Sequence, residues 1–208
     1  MKDIYNKAHS FTMTMEGGFA NHPHDSGGMT YKGITKRWAP NWVGWKVIER
    51  ALAEHPDLAI PYKKPPVTLR AFNAELETNE FLQGKVSEFY YERYFKPVGG
   101  DVLPDALACV MFDASVLTGV KRSVKNLQKS LVLHYGLSIT IDGIFGNNTN
   151  NAVKEAIRAE GLNSLVKSVI LEYGDTLKES AKVNNNRTFL LGWMERIFKL
   201  HSFVRAIK

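Results

Sequence analysis

Two acidic residues and a threonine lie close together in one glycine-rich stretch near the start of the chain. Glu16 ends an apolar-periodic segment, eight residues separate it from Asp25, and four more lead to Thr30. Five glycines fall between residues 17 and 33. Hydrolysis of a glycosidic bond requires one carboxyl group on a rigid element, and a backbone loop free of bulky side chains that brings a second carboxyl near it. The stretch therefore indicates glycosidase chemistry, with Glu16, Asp25 and Thr30 as candidate catalytic residues.

The expected surroundings suggest a role for each of these residues. The reaction needs a protonated acid on the leaving oxygen, and either a base for water or a nucleophile on the opposite face. Glu16 suits the acid, because burial beside Phe19 and the negative end of a helix both disfavour a charged carboxylate. Asp25, on a polar loop, would stay ionised and could position water, with Thr30 as a supporting hydroxyl. The spacing alone leaves open that Glu16 caps or salt-bridges locally and that the glycines only form turns.

The first part of the chain is predicted to be a helix followed by a loop. Apolar residues recur at helical spacing from Ile4 to Met15, which predicts an amphipathic helix over residues 2–16, ended by the two glycines that follow. Residues 17–35 are predicted to form a loop with a small hairpin near Gly27. This arrangement would place Glu16 at the end of a rigid element.

A short helix around residues 45–54 and an irregular connection are predicted next, and from Thr68 onward the chain is predicted to be helical nearly throughout, so the fold class is mainly α. Pro97 to Gly100 is the best linker candidate, which gives a catalytic region over residues 1–97 and a helical region over residues 98–208, packed into one globule with the first. The predicted helices are one capped by Thr78, a buried one over 104–118, one over 121–135 stopped by Gly136, one ending at Gly161, one carrying residues 165–173, and a last one capped by residues 184–186.

Composition sets broad bounds on function. With 208 residues, 44% of them hydrophobic, the chain can bury a proper core. A net charge of +6 favours an anionic partner. The basic residues are dispersed except for one cluster at Lys121, Arg122, Lys125 and Lys129, so a nucleic-acid binder is not expected. That cluster is either a solvated surface or a contact to cell wall or lipopolysaccharide.

No cofactor, metal or disulfide is expected. Cys109 is the single cysteine and lies in an apolar helical stretch, which predicts a buried, inert thiol. His22, His24 and Asp25 flank Pro23, which makes a compact chelate awkward, and no third His or Cys lies at a familiar spacing. The N-terminal residues lack the long apolar core of a signal peptide, and no later run would span a bilayer. We therefore expect a chain made in the cytoplasm, without stable membrane insertion.

Residues 16–35 resemble the signature of the glycoside hydrolase family 108 muramidases, roughly E-G-G-F/Y-x-N-x-P-x-D-x-G-G-x-T-x-x-G-I-T. The family includes phage endolysins and bacterial proteins once called secretion activators. The acid–acid–threonine spacing is also similar to that of phage-type lysozymes. Departures from the family pattern occur at Ser26, Met29, Phe95 and Leu117. The second half resembles the family's companion region, a predicted peptidoglycan-binding domain, at residues 112–116, Gly119, Leu127-Gln128, Asp142-Gly143, Gly146, Thr149, Gly192-Trp193 and Arg196.

The resemblance implies a lysozyme-like, two-lobed helical fold in which a small glycine-rich hairpin carries the active site. Glu16 is then the general acid, and Asp113 belongs to a segment expected to face it. The residues expected to bind substrate are Phe19, Asn21, Tyr31, Gly33, Thr35, Tyr90 and Asp113.

The implied function is hydrolysis of the β-1,4 bond between N-acetylmuramic acid and N-acetylglucosamine in bacterial peptidoglycan. The expected setting is a monomeric endolysin, made in the host cytoplasm and released to the wall through a holin-type pore for host cell lysis. One alternative is a lytic transglycosylase, in which the muramyl 6-hydroxyl attacks and gives an anhydro product that mass spectrometry identifies. The other is a non-catalytic wall-binding or secretion-helper protein, which a turbidity assay on permeabilised Gram-negative cells separates from an enzyme.

Overall fold

The computed structural model of the chain describes residues 3–23, 27–183 and 186–207. These residues are mainly helical, with one small sheet, as the sequence predicts. The α-helices are α1 (Asp3–Met13), α2 (Gly44–Leu52), α3 (Pro56–Ala59), α4 (Leu69–Thr78), α5 (Glu80–Tyr90), α6 (Asp105–Thr118), α7 (Val120–Tyr135), α8 (Asn147–Glu160), α9 (Leu162–Lys182) and α10 (Leu190–Arg205). The strands are β1 (Phe19–Ala20), β2 (Thr30–Tyr31) and β3 (Ile34–Thr35), and Tyr91–Phe95 forms a π-helix, while Lys96–Val98 and Asn186–Phe189 are 3₁₀-helical.

The chain forms two compact units. Residues 9–90 make up the sheet unit, and residues 1–8 with 91–208 make up the helical unit. The division thus falls after residue 90 rather than after residue 97. The predicted linker is packed: Gly99 is buried with φ of +82°, and a Cβ at that position would lie 2.3 Å from Cε1 of Phe145. The glycine therefore serves close packing within the helical unit.

The sheet is a three-stranded antiparallel meander in the order β1-β2-β3. The turn of its second hairpin is Lys32-Gly33, further along the chain than the predicted hairpin near Gly27. Both turn residues have positive φ, 45° and 75°. Two-residue hairpin loops adopt this geometry because it matches the right-handed twist of the strands.

The first helix ends earlier than predicted, at Met13 rather than at Glu16. The amide groups of residues 14–16 each donate to the carbonyl three residues back, and the Thr14 hydroxyl donates to the carbonyl of Phe11. These tighter bonds replace the α-helical pattern. Neither glycine that follows has positive φ, so the helix does not end in a glycine cap. Glu16 therefore lies on a short turn beyond the helix.

Helix α6 forms the centre of the helical unit, which confirms the predicted buried helix. Every residue from Ala106 to Ser115 is buried, including the predicted buried thiol of Cys109. Burial raises the pKa of that thiol to about 12, and the nearby charges of Asp105 and Asp113 add to the effect. Within the described residues, no helix combines the length and hydropathy needed to cross a membrane.

Candidate active site

The carboxyl group of Glu16 lies against the β2–β3 turn. Glu16 is half-buried, and Gly33 is exposed. A Cβ placed on Gly33 would lie 3.1 Å from Oε2 of Glu16 and 2.8 Å from the hydroxyl oxygen of Tyr90. The left-handed backbone at this position, with φ of +75°, also favours glycine. The turn can therefore approach the carboxyl group only because Gly33 has no side chain.

Three hydrogen bonds hold this turn in place through Lys32. Its carbonyl accepts from the Tyr90 hydroxyl at 2.5 Å, and its amide donates to the carbonyl of Gly18 at 3.3 Å. Its ammonium group donates to Glu77 Oε2 at 2.8 Å. These partners come from α4, from α5 and from the segment directly after Glu16. The turn and the carboxyl group are thus positioned by the same framework.

Asn73 on α4 fixes the chain just after Glu16. Its Oδ1 accepts from the amide of Phe19 at 2.7 Å. A Cβ on Gly18 would lie 2.4 Å from that same oxygen, so the bond depends on glycine there. Asn73 was not predicted from the sequence, since a single polar residue on a helix carries no distinguishing pattern.

The sheet has one buried face and one half-exposed face. Phe19 pairs with Tyr31, which pairs with Ile34, and all three are buried. On the opposite face Thr30 pairs with Thr35, and both are half-buried. This follows from the alternation of side chains along a strand. Of the residues predicted to act in catalysis or binding, Glu16, Thr30, Gly33 and Thr35 are accessible.

Four of the residues predicted to bind substrate have buried side chains. Phe19, Asn21, Tyr31 and Tyr90 are each at most 5% exposed, so their side chains pack inside the sheet unit. Asn21 donates from Nδ2 to the carbonyls of residues 58 and 59 at 3.1 and 3.2 Å. Burial leaves these side chains little surface for direct contact with a sugar, so their role in substrate binding stays a prediction.

The buried Tyr31 side chain is held in place by a hydrogen bond to its hydroxyl. Its hydroxyl accepts from Gln83 Nε2 at 2.9 Å, and the same amide donates to the carbonyl of Leu76 at 2.7 Å. Burial raises the pKa of Tyr31 to about 12. The phenol therefore stays neutral, and it links the hairpin to the α4–α5 connection.

His9 is a titratable residue near the turn that the sequence analysis missed. Its ring meets Tyr90 edge-on, with ring centroids 5.8 Å apart. Burial, helped by the positive charge of Lys32, lowers the pKa of His9 to about 4. The imidazole is therefore neutral at neutral pH.

Asp113, another residue predicted to bind substrate, lies in the helical unit. It is completely buried and forms an ion pair with Arg196, whose Nη2 lies 2.9 Å from Oδ1 and whose Nε lies 3.1 Å from both carboxylate oxygens. The Tyr173 hydroxyl donates to Oδ2 at 3.4 Å. Both carboxylate oxygens of Asp113 are engaged by this buried pair, which favours a structural role, and its role in substrate binding stays a prediction.

Asp25, the predicted base, lies outside the described residues, as does His24. In the ranges 3–23, 27–183 and 186–207, no group of three or more His, Cys, Asp or Glu side chains is placed to hold a metal ion. The chemistry that the described site offers is therefore that of one accessible carboxyl group beside an open, glycine-containing turn.

Comparison with known proteins finds two family matches that cover most of the chain. Residues 9–119 match the family described as Glycosyl hydrolase 108, and residues 122–198 match the one described as Predicted Peptidoglycan domain. Among solved structures, the chain is similar to one titled "Structure of Brucella abortus SagA", with 25% sequence identity, 97% of this chain and 94% of that chain covered, and a TM-score of 0.62. No curated protein matches. These matches confirm the predicted family and the lysozyme-like, mainly helical fold.

Proposed function

This chain belongs to the glycosyl hydrolase 108 family, and we propose that it is an N-acetylmuramidase with Glu16 as its general acid. The substrate is the β-1,4 bond between N-acetylmuramic acid and N-acetylglucosamine. The family match supports a glycoside hydrolase, and the match of residues 122–198 supports peptidoglycan as the polymer on which it acts. The observation that carries the assignment to Glu16 is its carboxyl group, which lies beside Gly33 at an accessible turn.

The proposed chemistry begins with proton transfer. Glu16 donates its proton to the glycosidic oxygen as the bond to that oxygen breaks and an oxocarbenium-like centre develops. Because Gly33 has no side chain, there is room for a saccharide ring next to the carboxyl group of Glu16. Thr30 and Thr35, on the half-exposed face of the sheet, supply hydroxyls that can hydrogen-bond a sugar.

Asp25 is the proposed base that activates water on the opposite side of the sugar. In an inverting glycosidase the two carboxyl groups lie about 6.5–9.5 Å apart, which leaves room for that water. Asp25→Asn should then reduce activity, but less than loss of the acid does, since solvent partly replaces a base. NMR of the first-formed anomer tests the stereochemical course of the hydrolysis. An α-anomer supports inversion, and an initial β-anomer would rule it out.

Glu16→Gln tests the central residue. The amide has nearly the same shape but cannot deliver a proton, so the rate on purified sacculi should fall by roughly 10²–10⁴-fold or more. Glu80→Gln is the matched control, because Glu80 is an exposed acid at the start of α5. Thermal unfolding of both variants should match that of the wild type. A Glu16→Gln protein that digests sacculi at the wild-type rate would show that Glu16 is not the general acid.

The proposed biological setting is a monomeric phage endolysin that acts on the wall after synthesis in the host cytoplasm. Release then requires a holin-type pore. Expression of the chain alone should leave the culture turbid, whereas co-expression with a holin should clear it. Lysis by the chain alone would argue against this setting, and sedimentation of the purified protein tests the monomer.

A further inference from the structure

A polar groove of about 380 Å³ lies between α7 and α9 in the helical unit. Each helix contributes one stripe of side chains at the spacing that places residues on a common helical face. The stripe on α7 consists of Arg122, Lys125, Asn126 and Lys129, and the stripe on α9 consists of Glu172, Asp175, Thr176, Glu179 and Ser180, followed by Val183.

The charges along this groove are separated by helix. The three cations, Arg122, Lys125 and Lys129, all belong to α7, and the acids all belong to α9. In the part of the chain that the structure describes, no ion pair joins the two rows. Glu172 instead pairs with His134 at 3.1 Å, and Glu179 pairs with Lys182 at 2.6 Å. The groove therefore presents a positive wall and a negative wall with no direct ion pair between them among the described residues.

The floor of the groove contains a buried donor that lacks a partner. Asn126 is 1% exposed, and its Oδ1 accepts from the Thr176 hydroxyl at 2.7 Å. Its Nδ2 has no hydrogen-bond partner among the described residues. A buried polar group left unsatisfied costs about 1–3 kcal/mol, so such groups usually have a partner. Because this donor is buried, an acceptor oxygen of a ligand in the groove satisfies it once the side chains that cover it move aside.

The positive wall is held by the loop that follows α7. Gly143, with φ of +81°, packs so closely on this helix that a Cβ there would lie 2.6 Å from Cγ of Lys121 and 3.2 Å from Cγ of Lys125. The amide of Gly143 donates to Gln128 Oε1 at 2.8 Å, and Gln128 Nε2 donates to Asp142 Oδ1 at 2.8 Å. The stem of Lys125 is thus packed against a fixed turn, which limits the entropy lost when its ammonium group binds a ligand.

We propose that this groove binds the zwitterionic stem peptide of peptidoglycan. A stem carboxylate accepts from Asn126 Nδ2 and lies beside Arg122 and Lys129, while a free side-chain amino group of the peptide faces Asp175. The inference rests on the proposed action on peptidoglycan, and all the groove residues fall within the segment 122–198 that matches the peptidoglycan domain. An uncharged glycan strand would make no use of two opposed rows of charge.

Calorimetric titration of the full chain tests this with the tetrapeptide L-Ala–γ-D-Glu–meso-diaminopimelate–D-Ala as the probe. The tetrapeptide should bind at low salt, and its affinity should fall as salt is raised, because the partly exposed charges are screened. Amidation of its carboxylates should abolish binding. A linear peptide Ala-Glu-Lys-Ala of mixed charge should bind at least roughly tenfold more weakly, a difference of about 1.4 kcal/mol.

Charge reversal locates the site. The double variant Arg122→Glu with Lys129→Glu should weaken tetrapeptide binding by roughly tenfold or more. The double variant Lys154→Glu with Arg158→Glu on α8 makes the same change of net charge on exposed residues outside the groove, so it should bind as the wild type does. Asn126→Asp keeps an oxygen for Thr176 but replaces the donor with a second oxygen, and should also weaken binding.

The outcomes separate this inference from the proposed function. If sacculi are hydrolysed but the tetrapeptide does not bind, or if both double variants weaken binding equally, the groove assignment is wrong and the muramidase proposal stands. If the tetrapeptide binds in the expected pattern but sacculi are not hydrolysed, the groove assignment stands and the muramidase proposal fails. Should Asn126→Asp fail to fold, the surface variants still decide the question.

Discussion

Gly33 and Glu16 are neighbours in space although sixteen residues separate them in the chain. A Cβ on Gly33 would lie 3.1 Å from Oε2 of Glu16, with the Tyr90 hydroxyl 2.8 Å away on the same side. The carboxyl group of Glu16, the β2–β3 turn and the phenol of Tyr90 thus surround one small space. A side-chain atom in that space would clash with the carboxyl group and the phenol. Residue 33 is therefore best a glycine for two independent reasons. The turn has positive φ at this position, and the Glu16 carboxyl group lies where a side chain would be.

Gly33→Ala should therefore damage activity more than stability. The left-handed conformation alone costs an alanine about 1–2 kcal/mol. The added methyl group also pushes aside the Glu16 carboxyl, and a misplacement of about 1 Å can cost roughly 10²-fold in rate. We expect kcat to fall by roughly 10–100-fold, measured on purified sacculi.

Gly28→Ala is the matched control for that prediction. Gly28 has φ of +70°, but a Cβ there would meet no atom within 4 Å. It should show a similar loss of stability from backbone strain and a kcat close to that of the wild type. Equal losses of kcat in both variants would show that strain, and not the contact with Glu16, limits activity.

Asp113 should behave as a structural residue. Asp113→Ala leaves the buried guanidinium of Arg196 without its counter-charge, which should cost about 3–5 kcal/mol in urea unfolding. Asp113→Leu combined with Arg196→Met removes both charges and should be less destabilised than the single variant. An Asp113→Ala protein with wild-type stability and abolished activity would support the substrate-binding role.

His9 should make stability depend on pH. Its pKa is about 4 in the folded protein and about 6.5 when unfolded, so between these values the unfolded chain binds more protons. The free energy of unfolding should therefore decrease as the pH falls from about 6.5 towards 4, by roughly 2–3 kcal/mol in all. His9→Gln should flatten that decline, measured by urea unfolding at several pH values. A His9→Gln protein with the wild-type slope would contradict the prediction.

Local features of the fold were predictable because local chemistry determines them. The continuous apolar run over 104–118 predicts a buried helix, and α6 occupies that place. Gly136 and Gly161 were predicted to stop α7 and α8, and each directly follows the helix end with positive φ, 64° and 82°. The glycine-rich signature likewise located the segment that carries Glu16.

Features that depend on distant partners were not predictable. The end of α1 at Met13 reflects competing turn bonds in the following residues rather than the position of the glycines. Asn73 and Tyr90 act on residues 54 and 58 positions away. Asp113 appears as a lone acid on an apolar helix, which suggests a functional site, and its partner Arg196 lies 83 positions further on. Only the folded structure shows that these two residues form an ion pair with each other.

The most direct test of the central claim is mass spectrometry of the soluble products from purified sacculi, after borohydride reduction. We expect muropeptides that end in reduced N-acetylmuramic acid, carry no anhydro group, and are absent when Glu16→Gln is used. Products with a 1,6-anhydro end would identify a transglycosylase, and products ending in reduced N-acetylglucosamine would place the cut at the other glycosidic bond. Either result would contradict the assignment of this chain as a muramidase.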